Sequence, residues 1–170
     1  TLPAGLSWTP EGQIELHPDR RVQQAIRMVL DKLSEFGSVR QVLMWLRDER
    51  VSLPTLESER PRAITWRLPT YRMVLSMVRS PFYAGAYAFG RRESRTRVVN
   101  GRATRTSGHH KPMARWTALI RDHHPGYISW EQFERNQRLL EENTHMKGTM
   151  TRKAGRGGQC LLAGLLRCAR

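Results

Sequence analysis

The stretch Ile64–Arg92, ITWRLPTYRMVLSMVRSPFYAGAYAFGRR, decides how the rest of the chain is read. Pro69 and Pro81 bracket its middle. Proline cannot donate into a helix interior and restricts the residue before it, so the spacing predicts a short helix over 70–79. Val74, Leu75 and Val78 fall on one side of that helix, and Tyr71, Arg72, Ser76 and Arg79 on the other. An apolar stripe opposite arginines, hydroxyls and a tyrosine suits a DNA groove, where arginine pairs with guanine edges and hydroxyls reach phosphates. On residues alone the segment equally describes a surface helix with solvated arginines.

Upstream, Val22, Ile26, Val29, Leu30, Leu33 and Phe36 recur at helical spacing after Asp19, a suitable N-cap, and Gly37 ends the run. Ser38 and Gln41 read as a capping box for a second helix to about Glu49, with Val39, Val42, Leu43 and Leu46 buried. With the Thr70 helix these two outline a helix-turn-helix unit. The interval from Arg50 to Pro69 is too long for its turn and calls for an inserted loop or small hairpin. Thr1–Leu16 reads as an extended lead-in whose Trp8 packs on the body.

Downstream, Ala84–Gly90 alternates small and aromatic residues. It predicts a strand that pairs with Ile64–Arg67 or with Trp116–Ile120, with Tyr83 and Phe89 in the core. Residues 91–115 carry seven arginines and Lys111 and almost no large apolar group, so the segment is expected to stay mobile until it meets phosphate. A hairpin with Asn100-Gly101 at its tip is the competing reading. Ser129 and Gln132 form a second capping box for a helix to about Thr144 that turns Trp130, Phe133 and Leu140 inward. Met146–Gln159 is basic and glycine-rich, as a linker is. The fold class expected is α+β, mostly helical: a helix-turn-helix-like core, a small antiparallel sheet and a long basic loop.

The formal charge of +14 is unevenly spread. Residues 1–90 hold 12 basic and 9 acidic side chains, 91–115 hold 8 and 1, 116–146 hold 3 and 5, and 147–170 hold 6 and none. Two basic arms beside a near-neutral body fit a polyanionic partner. The sequence shows no basic amphipathic helix and no long apolar run, which argues against a membrane partner. Two cysteines, Cys160 and Cys168, make no disulfide framework, no secretory leader is seen, and a cytoplasmic protein is expected.

Ser80–Arg92 resembles the helix-to-strand passage of the recombinase domain of large serine recombinases, in the resolvase and invertase superfamily. Trp116–Glu131, followed by Asn136-Gln137, is similar to that family's second signature, and Leu161–Cys168 to the run that leads into its zinc ribbon. The resemblance covers nearly the whole chain. It implies a lead-in at 1–17 that follows a catalytic domain, a DNA-binding recombinase domain at 18–146, and a basic linker with the start of a truncated zinc ribbon at 147–170. Cys168 would be that ribbon's first zinc ligand, unoccupied here because its companions are missing, and Cys160 an incidental thiol. Zinc belongs to the intact parent, and no cofactor or small-molecule substrate is expected for this part.

The function so implied is sequence-specific binding of double-stranded DNA at recombination attachment sites, with the parent a dimer on each site and a tetramer in synapsis. The catalytic serine would lie in another domain, so this part should not cut DNA. The helix from Thr70, itself counted among the DNA-binding residues, is placed in the major groove with Tyr71, Arg72, Ser76 and Arg79 near base edges, Arg67, Arg91 and Arg92 on phosphate, and Arg95, Arg97, Arg102, Arg105 and Lys111 along the backbone or the adjacent minor groove. Two rivals stand beside this reading. Asp122-His123-His124-Pro125 superficially resembles the metal-binding strand of HNH nucleases, although no partner Asn and His follow at suitable spacing, and the basic arms would also serve an RNA- or ribosome-binding protein.

Overall fold

A computed structural model of the chain describes residues 2–57 and 63–149. Three helices build the centre: α1 (Arg20–Phe36), α2 (Val39–Asp48) and α3 (Tyr71–Val78). Asp19 caps α1 by accepting from the Arg21 amide at 2.8 Å, and Gly37 closes it in the left-handed conformation that a C-terminal cap requires. Val22, Ile26, Val29, Leu30 and Leu33 of α1 interlock with Val42 and Leu46 of α2 and with Val74 and Val78 of α3. All of these are fully buried, so each contributes the ~1.5–3 kcal/mol expected of an aliphatic side chain removed from water.

Among the described residues the strands form four separate two-stranded antiparallel sheets. In the lead-in, β1 (Leu6–Trp8) pairs with β2 (Ile14–Leu16). The interval between α2 and α3 holds a hairpin of β3 (Leu53–Leu56) and β4 (Ile64–Arg67), so no short turn joins those helices. After α3 a 3-10 turn, Pro81–Ala84, leads into β5 (Tyr87–Phe89), which pairs with β8 (Ala118–Ile120). Between them β6 (Arg92–Val99) and β7 (Arg102–His110) form a long ribbon. A last helix, α4 (Trp130–Thr149), packs Trp130 and Phe133 against Ala84 and Ala86, and Leu140 against the central helices.

Several expectations need correction. Residues 92–110 are an ordered β-ribbon, because Asn100 and Gly101, both at positive φ, make the tight turn that lets the flanking residues pair. Phe89 is 62% exposed rather than core, since among the described residues β5 and β8 form a two-stranded sheet with no further layer over that face, whereas Tyr83 is buried as expected. Trp8 is 61% exposed and does not pack on the body. Ser38 occupies the N-cap of α2 but makes no side-chain capping bond. Ser129 does accept from the Gln132 amide at 3.3 Å, while the Gln132 side chain reaches Ser34 on α1 instead of closing the box. On α3 it is Met77, not Leu75, that joins Val74 and Val78 in full burial. Strand β8 starts at Ala118, because Trp116 is held by its indole N–H donating to the Lys111 carbonyl. Helix α4 continues through Thr149, past the expected end at Thr144. Cys160 and Cys168 lie outside the described residues.

Candidate nucleic-acid interface

Helix α3 is pinned at both ends. Thr70 caps it by accepting from the Met73 amide at 3.3 Å, and Arg47 of α2 donates to the Pro69 carbonyl one residue earlier. At the other end Gln137 of α4 donates to the Val78 carbonyl at 2.9 Å, which satisfies an acceptor the helix end would otherwise leave open. The outward side of α3 is thereby fixed over a cleft of about 830 Å³. Thr70, Arg72, Ser76 and Arg79 line it from α3, Arg91 and Arg92 from the entry to β6, and Ser107, Gly108 and His110 from β7. Four arginines stand on this lining and no carboxylate does, among the described residues. Among the described residues none of the four is in a salt bridge, the ion pairs there being Arg21–Asp19, Lys32–Glu35, Arg95–Glu93 and Arg121–Glu134.

Two tyrosines fasten the third wall. Tyr83 donates to the Ala4 carbonyl at 2.7 Å and Tyr127 to the Gly5 carbonyl at 2.6 Å, with their rings edge to face at 5.7 Å. Burial pushes the Tyr127 phenol up to about 12 and that of Tyr83 higher still, so both remain donors at any physiological pH. Leu2, Pro3 and Ala4 are thus held at the cleft rim. Arg91 lies 5.9 Å over the Phe82 ring, and its burial and the neighbouring Arg92 depress its pKa, which makes a counter-anion there favourable.

The ribbon projects the remaining basic groups. Directly opposed residues of an antiparallel pair share a face, so the register Arg95↔Thr106, Arg97↔Thr104 and Val99↔Arg102 sets Arg95, Arg97 and Arg102 on one face. Arg105, opposite Thr96, lies on the other face with Arg92. A β-bulge between Glu93 and Arg95 shifts the pairing, so that Arg92 faces His110 and Glu93 faces His109. Glu93 turns to Arg95 at 2.7 Å, and that contact lowers its pKa.

Of the residues singled out from sequence, the cleft brings together Thr70, Arg72, Ser76, Arg79, Arg91 and Arg92. Arg95, Arg97, Arg102 and Arg105 stand on the ribbon, and Lys111 sits at its base, its amide donating to the Arg91 carbonyl. Arg67 ends β4 outside the cleft, and Tyr71 lines a smaller hollow with Ser38, Arg40 and Arg79. Sequence reasoning weighed His110 only beside the nuclease reading, on a segment expected to be mobile, and missed Ser107, the strap Leu2–Ala4, and the positioning roles of Arg47 and Gln137.

His123 and His124 have a structural explanation. His124 is buried, its Nε2 lies 2.8 Å from the Phe82 carbonyl, and its Nδ1 lies 3.2 Å from that of His123. Among the described residues no group of three or more His, Cys, Asp or Glu side chains could hold a metal ion. Burial lowers the His124 pKa below 6.5. The unfolded chain therefore binds a proton more readily than the folded one, and stability should be level above about pH 6.5 and fall as pH drops from there toward the depressed value. Urea unfolding across that window checks the sign: His110, whose pKa is also lowered, adds to the slope, so His124→Gln should lose part of it and not the whole.

The α+β body carries a cleft lined by four arginines and, among the described residues, by no carboxylate, beside a basic two-stranded ribbon. The Recombinase family model matches residues 20–143, most of the chain, and the chain belongs to the Recombinase family. It is 35% identical over 180 residues to the "Uncharacterized protein y4bA/y4pH" of Sinorhizobium fredii (strain NBRC 101917 / NGR234). That alignment takes in 99% of this chain and 24% of the relative, so the chain spans about a quarter of the relative's length. A chain of the solved structure "Crystal Structure of a LSR-DNA Complex" aligns over 91% of this chain and 33% of its own length, at 12% identity and a TM-score of 0.47, a likeness too low to carry a conclusion. Among the described residues no helix is long and apolar enough to cross a membrane.

Proposed function

We propose that this chain is the double-stranded-DNA-binding part of a serine site-specific recombinase, reading part of an attachment site while strand cleavage is done elsewhere in the parent polypeptide. The observation that carries the reading is the cleft wall on which Arg72, Arg79, Arg91 and Arg92 converge with no carboxylate among the described residues. Helix α3 supplies Arg72, Ser76 and Arg79 for base edges and the phosphates beside them. The ribbon supplies the sequence-independent part of the affinity, because arginines on both of its faces can meet both phosphate walls of a groove. The major groove of B-DNA admits a helix or a two-stranded ribbon, whereas that of duplex RNA is too deep and narrow, which favours DNA over RNA. The zinc ribbon begun at Cys168, and the pairing of parent subunits on each site and in synapsis, belong to the same proposal.

The test is fluorescence anisotropy on duplex DNA, duplex RNA and scrambled DNA over a range of salt. DNA should bind more tightly than RNA, and a recombination sequence more tightly than its scramble. Arg97→Ala with Arg102→Ala should weaken all DNA sequences alike and flatten the log–log salt slope by about 2, roughly 0.9 for each phosphate no longer neutralised. Equal affinity for RNA and DNA, or metal-dependent nicking of supercoiled plasmid by the purified chain, would overturn the proposal.

A further inference from the structure

His110 stands where the function just proposed gives it no role. The β-bulge sets it directly opposite Arg92 on the ribbon, and both line the cleft with Arg79 and Arg91. The charged groups around it come from every neighbouring element and carry one sign: Arg92 on β6, Arg91 before it, and Arg79 on α3, with Arg72 further along the same wall. The nearest carboxylate along β6, Glu93, lies on the opposite face of the ribbon and is engaged by Arg95. His109 also lies on that opposite face, its Nε2 2.7 Å from the Thr106 hydroxyl. Among the described residues His110 is therefore the one imidazole on the lining of a cleft whose other charged groups are arginines.

We propose that His110 is a phosphate ligand of this cleft that takes up a proton as the nucleic acid enters, so that binding strengthens as pH falls. The inference rests on the duplex-binding reading above. In the free protein, partial burial and then the repulsion of Arg92, Arg79 and Arg91 disfavour the imidazolium, and the side chain stays neutral near pH 7. A phosphodiester brought between these arginines offsets their charge and adds its own, which reverses the sign of the potential at the imidazole. The proton comes from solvent, the imidazolium N–H donates to a phosphate oxygen, and no bond to the nucleic acid is made or broken. By linkage the affinity then changes with pH by at most a factor of ten per unit for one proton.

Calorimetric titration of the 170-residue chain with a random-sequence B-DNA duplex, in two buffers of different ionisation enthalpy at matched chloride, reads the protons taken up. Wild type should take up a fraction of a proton near pH 7, and its affinity should rise about three- to tenfold between about pH 8 and about pH 6. His110→Gln should lose most of that uptake and of the pH response, while His109→Gln keeps both. His110→Lys should bind at pH 8 about as tightly as wild type binds at pH 6. Uptake in His110→Gln equal to that of wild type would overturn the inference and leave the proposed function standing. Absence of duplex binding at every pH and salt would remove both.

Discussion

Replacing Arg72 and Arg79 together by alanine is expected to weaken binding to a recombination-site duplex about a hundredfold or more, and to reduce discrimination between that duplex and its scramble. Each arginine that reads a base edge is worth about 1–3 kcal/mol, and two on one helix compound. The two side chains line the same wall, are not engaged in salt bridges among the described residues, and are carried by a helix locked by Thr70, Arg47 and Gln137. Little of their effect should therefore come from lost structure. Arg79 also sits at the C-terminal cap of α3, where a cation complements the helix dipole, so its removal costs about 0.3–1 kcal/mol of stability, well below the binding effect. Anisotropy titrations at several salt concentrations separate two kinds of interaction. A base-reading arginine changes preference at a position, and a phosphate-holding one changes the salt slope by about 0.9 while weakening all sequences alike. Affinity unchanged in the double variant would rule out the cleft as the DNA-binding surface.

The second large effect is on the scaffold. Tyr83→Ala is expected to destabilise the fold by about 3–5 kcal/mol, as removal of a buried aromatic ring generally does, and so to consume much of the stability a domain of this size has. Tyr83 is almost wholly buried, its ring contacts Tyr127 edge to face, and its hydroxyl satisfies the Ala4 carbonyl. Tyr83→Phe separates packing from hydrogen bonding. It keeps the ring, leaves the Ala4 carbonyl without its donor, and should cost about 1–3 kcal/mol. Because Leu2–Ala4 forms one rim of the cleft, the Phe variant should also weaken DNA binding at temperatures where the fold is intact. Urea unfolding gives the stability change, and anisotropy under native conditions gives the functional one. Stability equal to wild type in Tyr83→Phe would mean that the strap is not held by this bond.

Gly85 shows how tightly the same region is assembled. It lies at positive φ, and a Cβ there would meet the His124 carbonyl at 2.5 Å, so the 3-10 turn after α3 and the histidine turn before α4 can approach only across a glycine. Both His123 and His124 amides donate to its carbonyl. The two stretches on which the sequence resemblance rests, Ser80–Arg92 and Trp116–Glu131, are in this sense one structural junction that brings α3, the ribbon and α4 to a common point.

Local rules in the sequence were enough to locate the helices and most of what α1 and α2 bury. The caps at Asp19 and Gly37, the 3.6-residue spacing in α1 and α2, and the prolines around α3 act within a few residues, so they can be read from one chain. Composition placed the positive charge, and the spacing of polar groups on 70–79 picked out Arg72, Ser76 and Arg79. What tertiary structure decided was which of those groups share a surface. The ribbon looked too polar to order because a sequence-level count of burial cannot see that cross-strand hydrogen bonds and a two-residue turn hold exposed strands together. Phe89 and Trp8 looked like core because an aromatic residue carries no sign of whether another layer will cover it. The position of His110 shows the limit most clearly. Counting back from the Asn100-Gly101 turn with unbroken pairing sets His109 opposite Arg92, and one bulge moves His110 there instead. A shift of a single residue exchanges the two faces of a strand, and only the assembled backbone fixes it.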